Sequence, residues 1–187
     1  IEKLKIYENK NQICDVFFSM SHGVNRGKLK RDKVDERHNF ITDLISECPN
    51  IIFDIYGYKN REPVWAEDFY KVIVNSKMAL NLTRGKPLKY LTSNRIASLI
   101  GNGLLTFIDK KTKLNNFFNN NEVVFYSGLQ DLADKINYYK SNDLSRIKIA
   151  KNGRRKYFDL FECQKIANYI ISKSFDREIP KVLKWMD

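Results

Sequence analysis

Residues 83–103, TRGKPLKYLTSNRIASLIGNG, lie between two apolar runs, MALNL at 78–82 and LLTFI at 104–108. This order predicts a strand, a cationic loop, a short helix, a glycine turn and a second strand. Thr92 or Ser93 can cap the helix, because hydroxyl side chains accept hydrogen bonds from the first free backbone amides. Ile96, Leu99 and Ile100 then give the helix one apolar face.

Three cations surround the start of this helix. Arg84, Lys86 and Arg95 are brought together at the strand end and in the first helical turn. A helix dipole disfavours a cation in that turn, so their crowding indicates a bound anion such as a phosphate. A solvated basic loop beside an ordinary turn is the alternative that these residues leave open.

Composition limits the class of protein. The 187 residues suit one domain, or one domain with a tail, and 43% of them are hydrophobic, which predicts a folded core. No apolar run reaches the ~18 residues of a membrane span, and there is no secretory signal pattern. Three separated cysteines and two histidines offer little for a zinc site or a histidine-based triad, so we expect reduced thiols and no metal.

The net charge of +11 is compatible with nucleic acid, an anionic membrane surface or a phosphate-bearing small ligand. The basic residues form four groups, at 26–33, 84–89, 110–113 and 148–156. Two of these groups follow predicted strands, where open α/β sheets bind their ligands. No signature of a nucleic-acid-binding module is present, so nucleic acid is not an expected partner.

Short apolar runs alternate with helical patterns along the chain. Strands are predicted at 14–20, 51–56, 78–82, 104–108 and 122–126. Helices are predicted at 32–48, 66–75 and 131–139, around Arg95, briefly at 114–118, and from 144 onward with breaks near Gly153 and Pro180. The alternation predicts an α/β fold, a Rossmann-like parallel sheet with helices on both faces. We divide the chain into a lead-in or linker (1–12), this domain (13–172) and a C-terminal helical tail (173–187).

Two segments carry a family resemblance. Ser93-Asn94-Arg95 with Gly101-Asn102-Gly103-Leu104-Leu105 resembles the hallmark of the C-terminal halves of GT-B glycosyltransferases. The resemblance is to glycosyltransferase group 1, and within it to the CgeB-like proteins. It extends in element order over residues 13–172, and its specific part is residues 81–103.

The resemblance implies that the domain binds a nucleoside diphosphate sugar. Arg84, Lys86 and Arg95 would stabilise the leaving diphosphate, and no metal or other cofactor would be needed. The sugar would pass to a hydroxyl of a glycan or lipid-linked acceptor during cell-surface glycan synthesis. The acceptor site would come from an N-terminal domain that this chain lacks. We expect a cytoplasmic location, as the three separated cysteines indicate, and attachment to the inner face of the membrane is a further expectation.

Further donor contacts are implied by position. Gly23 and Arg26, after the first strand, would face the donor phosphates, and Asn94 would accompany Arg95. Gly101 and Gly103 would let helix, strand and ligand pack closely.

Ser98 departs from the family pattern. It stands where many retaining members carry a glutamate that holds the ribose hydroxyls, and Tyr90 stands where the wider pattern has another. A serine can hydrogen-bond a hydroxyl, but without the strength of a charged acceptor. This departure keeps open a second function, a non-catalytic Rossmann-like module that binds an anionic membrane or a partner.

Three aromatic residues follow the second predicted strand. Tyr56, Tyr58 and Trp65 are placed where such enzymes receive the nucleobase, so a ring there is a candidate stacking surface. Core or rim packing is the alternative use of these rings.

Overall fold

The computed structural model describes residues 4–20, 36–91 and 94–179. Its centre is a parallel sheet of five strands in the order β2-β1-β3-β4-β5. The strands are β1 (Cys14–Ser19), β2 (Phe53–Tyr56), β3 (Ser76–Asn81), β4 (Leu105–Asp109) and β5 (Val124–Tyr126). Val16 of β1 pairs with Phe53 on one side and with Met78 on the other. Strand β1 is therefore hydrogen-bonded along both edges.

Six α-helices connect and extend the sheet in the described residues. They are α1 (Glu36–Glu47), α2 (Ala66–Ile73), α3 (Asn94–Ile100), α4 (Leu129–Ser141), α5 (Asp143–Phe161) and α6 (Cys163–Ser174). Short 3₁₀ turns occupy Ile6–Glu8, Lys110–Thr112 and Leu114–Asn116. No helix in the described ranges has the length and apolar character to cross a bilayer.

Alternate residues of each strand face opposite layers. Val16 and Phe18 lie in the same core cluster as residues of α1 and α4, whereas Phe17 lies in a cluster with residues of α2 and α3. Strands buried on both faces read as continuous apolar runs, which is the pattern that the sequence shows. The predicted Rossmann-like fold with helices on both faces is confirmed.

The predicted helix break near Gly153 is wrong, because α5 runs continuously through this residue. Gly153 is buried, and a Cβ placed on it would lie 2.1 Å from the carbonyl oxygen of Glu122. Its missing side chain therefore permits a close approach between helix and loop. The chain breaks instead at Glu162, between α5 and α6. Pro180 lies outside the described residues.

The first residues of the chain pack on the domain. Ile6 is buried, its amide donates to the carbonyl of Asn102, and the amide of Leu4 donates to the Asn102 side chain. The segment predicted as a lead-in thus covers the turn before β4. At the other end, α6 continues to Ser174, two residues beyond the predicted domain limit.

Asp15 forms a buried ion cluster at the amino-terminal edge of the sheet. Its carboxylate lies 3.2 Å from Nζ of Lys77 and 3.0 Å from Nζ of Lys140, and it accepts a hydrogen bond from the amide of Ile52. Burial by itself would raise the pKa of Asp15, but the Ile52 amide and the two lysines outweigh burial and hold the pKa below its usual value. The cluster therefore joins β1, the start of β2, β3 and α4 through one carboxylate.

We predict that Asp15→Asn lowers the free energy of unfolding at pH 7 by roughly 1.5–3 kcal/mol, since it removes a charged hydrogen-bond acceptor. Because the folded-state pKa is the lower one, the wild-type advantage is complete above the unfolded-state pKa of about 3.9. It is lost as the pH falls through the lowered folded-state pKa. Urea unfolding between pH 7 and pH 3 measures this difference.

Asp68→Asn is the matched control, because Asp68 forms an exposed pair with Lys71, a kind of pair worth less than about 1 kcal/mol. Equal effects of the two substitutions at pH 7 would contradict the structural role of Asp15.

We predict that Gly153→Ala destabilises the domain by about 1–3 kcal/mol, because the added methyl group meets the Glu122 backbone. Lys151→Ala, at an exposed position of the same helix, is the control for helix propensity alone. Thermal unfolding of both variants measures the difference. A stabilised Gly153→Ala variant would show that the neighbouring loop yields.

Candidate functional site at the carboxyl edge of the sheet

The strand order reverses direction next to β1. From β1 the chain continues to β2 on one side and from β3 to β4 on the other, so the loops that leave the carboxyl ends of β1 and β3 diverge. Open α/β sheets bind ligands in the crevice formed at such a point. A cleft of about 390 Å³ lies here. We call it the switch-point cleft, and its lining residues are Ser19, Val64–Ala66, Phe69, Tyr70, Asn94, Arg95 and Ser98.

Arg95 ties the two central strands together at this cleft. Its Nη1 donates to the carbonyl of Leu82 at 2.5 Å, and its Nη2 donates to the carbonyl of Ser19 at 3.3 Å. Both carbonyls lie at strand ends, so the guanidinium is fixed between β1 and β3. Its remaining surface lines the cleft.

A second arginine, Arg37, affects the electrostatics of Arg95. Burial lowers the pKa of Arg95, and the positive charge of Arg37 lowers it further, to about 10. Arg37 lies in α1 and is only 8% exposed. Two largely buried guanidinium groups from different helices thus create a positive potential at the carboxyl ends of β1 and β3.

Sequence reasoning did not select Arg37. Its one signal was position, because Arg37, Ile41 and Leu44 share the buried side of α1. A cation on the apolar side of a helix needs compensation, and this makes such a position worth noticing.

Asn94 and Ser98 line the switch-point cleft together with Arg95. Asn94 is exposed at the start of α3, and Ser98 is buried one turn later. The Asn102 side chain donates to the Ser98 carbonyl at 2.9 Å, which holds the end of the helix. The structure therefore brings together three of the predicted donor-site residues.

Arg84 and Lys86 lie elsewhere on the same edge of the sheet. Both are exposed in the loop after β3, and neither lines the switch-point cleft. Gly85 between them has φ +72° and open space around its Cα, as expected at the tip of a turn.

Gly101 and Gly103 lie at the opposite edge of the sheet. A helix that connects parallel strands runs back against them, so the carboxyl end of α3 lies far from the cleft at its start. Gly103 has φ +80°, and a Cβ there would lie 2.5 Å from Cδ1 of Tyr7. Gly103 therefore has a turn and packing role against Tyr7, and a donor contact of Gly101 and Gly103 stays a prediction.

Gly23 and Arg26, assigned to the donor site, fall outside the described residues. The same is true of the capping candidates Thr92 and Ser93.

The three aromatic residues after β2 have different surroundings. Tyr58 is buried, and its hydroxyl is 2.9 Å from that of Thr42. Tyr56 contacts Phe17, and the Arg61 guanidinium covers its ring at 3.7 Å. Trp65 is 58% exposed and lines the cleft. Of the three, Trp65 therefore presents a free ring surface to the switch-point cleft.

Within the described residues, no group of three or more histidine, cysteine, aspartate or glutamate side chains is arranged to hold a metal ion. Metal independence of the chemistry stays a prediction.

A family model described as glycosyl transferase-like matches residues 33–172. The chain belongs to this glycosyl transferase-like family. Among solved structures, the crystal structure of TarM matches with a TM-score of 0.63 and 12% identity, over 90% of this chain and 36% of the TarM chain. No curated protein sequence matches.

At this identity the likeness to TarM shows the fold, that of one half of a GT-B glycosyltransferase. The predicted family and architecture are both confirmed. The chain spans 36% of the length of TarM.

Proposed function

We propose that this domain binds the nucleoside diphosphate sugar donor of a GT-B glycosyltransferase, which transfers the sugar to a hydroxyl acceptor. The observation that carries the proposal is the Arg95–Arg37 pair at the strand switch point. It supports a donor diphosphate at this position, and the family match supports the reaction class.

The arginine pair has the physical properties of a diphosphate site. Burial and the like charge of Arg37 both lower the pKa of Arg95, and a bound dianion beside these guanidinium groups would oppose both effects. Guanidinium groups match phosphate oxygens with two parallel hydrogen bonds. Arg95 is already held by two backbone carbonyls, so little reorganisation accompanies the growth of charge on the leaving diphosphate.

The rest of the cleft suits a nucleoside. The Trp65 ring offers a stacking surface to a base, and the Ser98 side chain lines the same cleft as a hydroxyl partner for ribose. A serine hydroxyl is a weaker ribose ligand than a glutamate, so we expect this domain to hold its donor mainly through the diphosphate.

Arg84 and Lys86 remain proposals as donor contacts. Their exposed loop lies on the same edge of the sheet, where they add positive potential without lining the cleft. A glycan or lipid-linked acceptor, any general base, metal independence and a role in cell-surface glycan synthesis complete the proposal. An N-terminal domain would supply the acceptor site.

We predict that one of UDP, GDP, ADP or CMP raises the melting temperature of the domain, because a ligand that binds only the folded state stabilises it. Arg37→Gln should weaken that nucleotide about 10- to 100-fold by titration calorimetry, the loss expected for one charged hydrogen bond. Arg95→Lys should weaken it comparably, since it keeps the charge but loses the planar fork.

Arg155→Gln is the control, because it removes the same charge from an exposed position of α5. If Arg155→Gln weakened binding as much as Arg37→Gln, net charge and not the arginine pair would account for affinity.

An exposed loop favours a second candidate, attachment to an anionic membrane. Leu88 is 61% exposed, and Tyr90 and Leu91 are also exposed. Tyr90 is held in place by its amide, which donates to the Thr112 carbonyl, and by its hydroxyl, which accepts a hydrogen bond from the Asn116 side chain. Exposed cations surround these side chains at Arg84, Lys86, Lys89, Lys110, Lys111 and Lys113. Apolar tips among lysines are typical of surfaces that contact lipid headgroups. A cytoplasmic enzyme attached peripherally to the membrane, or a non-catalytic module, would use such a loop.

We predict that the domain sediments with vesicles of phosphatidylcholine and phosphatidylglycerol but not with phosphatidylcholine alone. Combining Leu88→Ser with Lys89→Glu should reduce sedimentation several-fold, because each removed lysine contributes about 1 kcal/mol near an anionic surface. Equal sedimentation with both vesicle types would contradict this candidate. Sedimentation without any nucleotide binding would favour the non-catalytic module.

A further inference from the structure

A second cavity, of about 520 Å³, lies at the amino-terminal edge of the sheet. We call it the amino-edge pocket. Its volume falls within the roughly 300–1,000 Å³ of pockets that take small molecules. Three parts of the chain contribute to its lining: Tyr7, Glu8, Lys10 and Gln12 before β1, Lys77 in β3, and Asp143, Arg146 and Ile147 in α5.

The amino-edge pocket is separate from the switch-point cleft. Lys77 is the second residue of β3, whereas the Leu82 carbonyl, which holds Arg95, follows the last residue of that strand. Because a strand rises about 3.3 Å per residue, the two sites lie roughly 17 Å apart along the sheet. A ligand in the amino-edge pocket therefore leaves the proposed donor site open.

The buried cations of the pocket already have carboxylate partners. Arg146 is 4% exposed and donates to Oδ1 of Asp143, from Nε at 3.1 Å and from Nη2 at 2.9 Å. Nζ of Lys77 lies 3.2 Å from Oδ1 of Asp15. An anionic ligand would have to compete with these carboxylates for the cations. The lining therefore favours a neutral polar ligand.

Several lining side chains are fixed before a ligand arrives. Gln12 donates from Nε2 to the carbonyls of Ile6 at 3.3 Å and of Ser76 at 2.6 Å. The Tyr7 ring packs against Gly103, where an added Cβ would lie 2.5 Å from Cδ1 of the ring. Groups held in this way lose little conformational freedom when a ligand binds, which lowers the cost of binding.

The accessible groups suit a ring that carries several hydroxyl groups. The side chains of Glu8 and Asp143 are 61% and 60% exposed, so their carboxylates keep oxygen atoms free to accept hydrogen bonds. The exposed Lys10 opposes the charge of Glu8. The Tyr7 ring and the Ile147 side chain add apolar surface. A sugar combines hydroxyl groups with an apolar C–H face, so it matches both parts of this lining.

We propose that the amino-edge pocket is a second binding site, which takes a neutral sugar ring such as one unit of a glycan. Glu8 and Asp143 accept hydrogen bonds from its hydroxyl groups, and Tyr7 and Ile147 contact its apolar face. This inference goes beyond the proposed function, because the site lies at the opposite edge of the sheet and takes a sugar without a nucleotide. A glycan held there would stay on the domain while the carboxyl edge remains open to the donor.

Free sugars test the proposal. Glucose, galactose, mannose and N-acetylglucosamine are titrated one at a time, at millimolar concentrations, into the isotope-labelled whole chain, and the amide resonances are followed by NMR. At least one sugar should shift the resonances of residues 7–12, 77 and 143–147 in a saturable manner. Sodium phosphate, the anionic probe, and the nucleotides UDP, GDP and ADP should leave these resonances unchanged.

A substitution that fills the pocket gives the first control on location. Ile147→Trp places a large ring in the amino-edge pocket and should abolish the sugar-dependent shifts. Ile170→Trp is its matched control, because it adds the same ring at a position of α6 that is 57% exposed. It should keep the wild-type affinity for the sugar.

A milder substitution tests the hydrogen bonds. Glu8→Gln should weaken the sugar about three- to tenfold, because a neutral amide oxygen is a weaker acceptor than a carboxylate. Glu8 is exposed, so this variant should melt at the wild-type temperature. Glu47→Gln, at an exposed position at the end of α1, makes the same chemical change and should leave the sugar affinity unaltered.

The outcomes separate this inference from the proposed function. Absence of saturable shifts with all four sugars overturns the inference, and so do sugar-dependent shifts that persist in Ile147→Trp. Phosphate that shifts the pocket resonances where sugars do not would overturn the assignment of a neutral ligand. If a sugar binds here and no nucleotide binds anywhere, the inference stands and the proposed function fails. Nucleotide binding without sugar binding gives the reverse result.

Discussion

The pairing of β1 with β3 is the constraint on which the rest of the domain depends. β2 and β4 attach to the outer edges of this pair. The loops that leave the carboxyl ends of β1 and β3 therefore separate and leave a crevice. Arg95 holds the two strand ends together through the carbonyls of Ser19 and Leu82. One side chain thus serves the architecture and also brings a positive charge to the place where parallel sheets bind ligands.

The two edges of the sheet treat buried polar groups differently. At the amino-terminal edge, Asp15 has two lysines and a backbone amide as partners, so its charge contributes to stability. At the carboxyl edge, the like charge of Arg37 adds to burial in lowering the pKa of Arg95. Proteins commonly keep such unfavourable groups where a ligand compensates them.

Much of the fold could be predicted from the sequence, because strands buried on both faces must be apolar throughout and helices between them must alternate. The site was only partly predictable. Asn94, Arg95 and Ser98 share one short helix, and their proximity followed from local spacing. Arg37 reaches the same point from α1, and no local pattern links two helices so far apart in sequence. The helix break predicted at Gly153 relied on the low helix propensity of glycine. The glycine is explained instead by its surroundings, where the Glu122 backbone leaves no room for a side chain.

The sequence by itself determined the α/β class, the order of the elements and the family, because these depend on periodicity and on one contiguous motif. Only the tertiary structure decided which cations and polar groups meet. It separated Arg84 and Lys86 from the switch-point cleft, moved Gly103 to a packing role against Tyr7, and left Trp65 alone among three aromatic candidates at the cleft. The physical reason is that strand order and helix direction set the position of a side chain in space. Neither can be predicted from the spacing of neighbouring residues in the sequence.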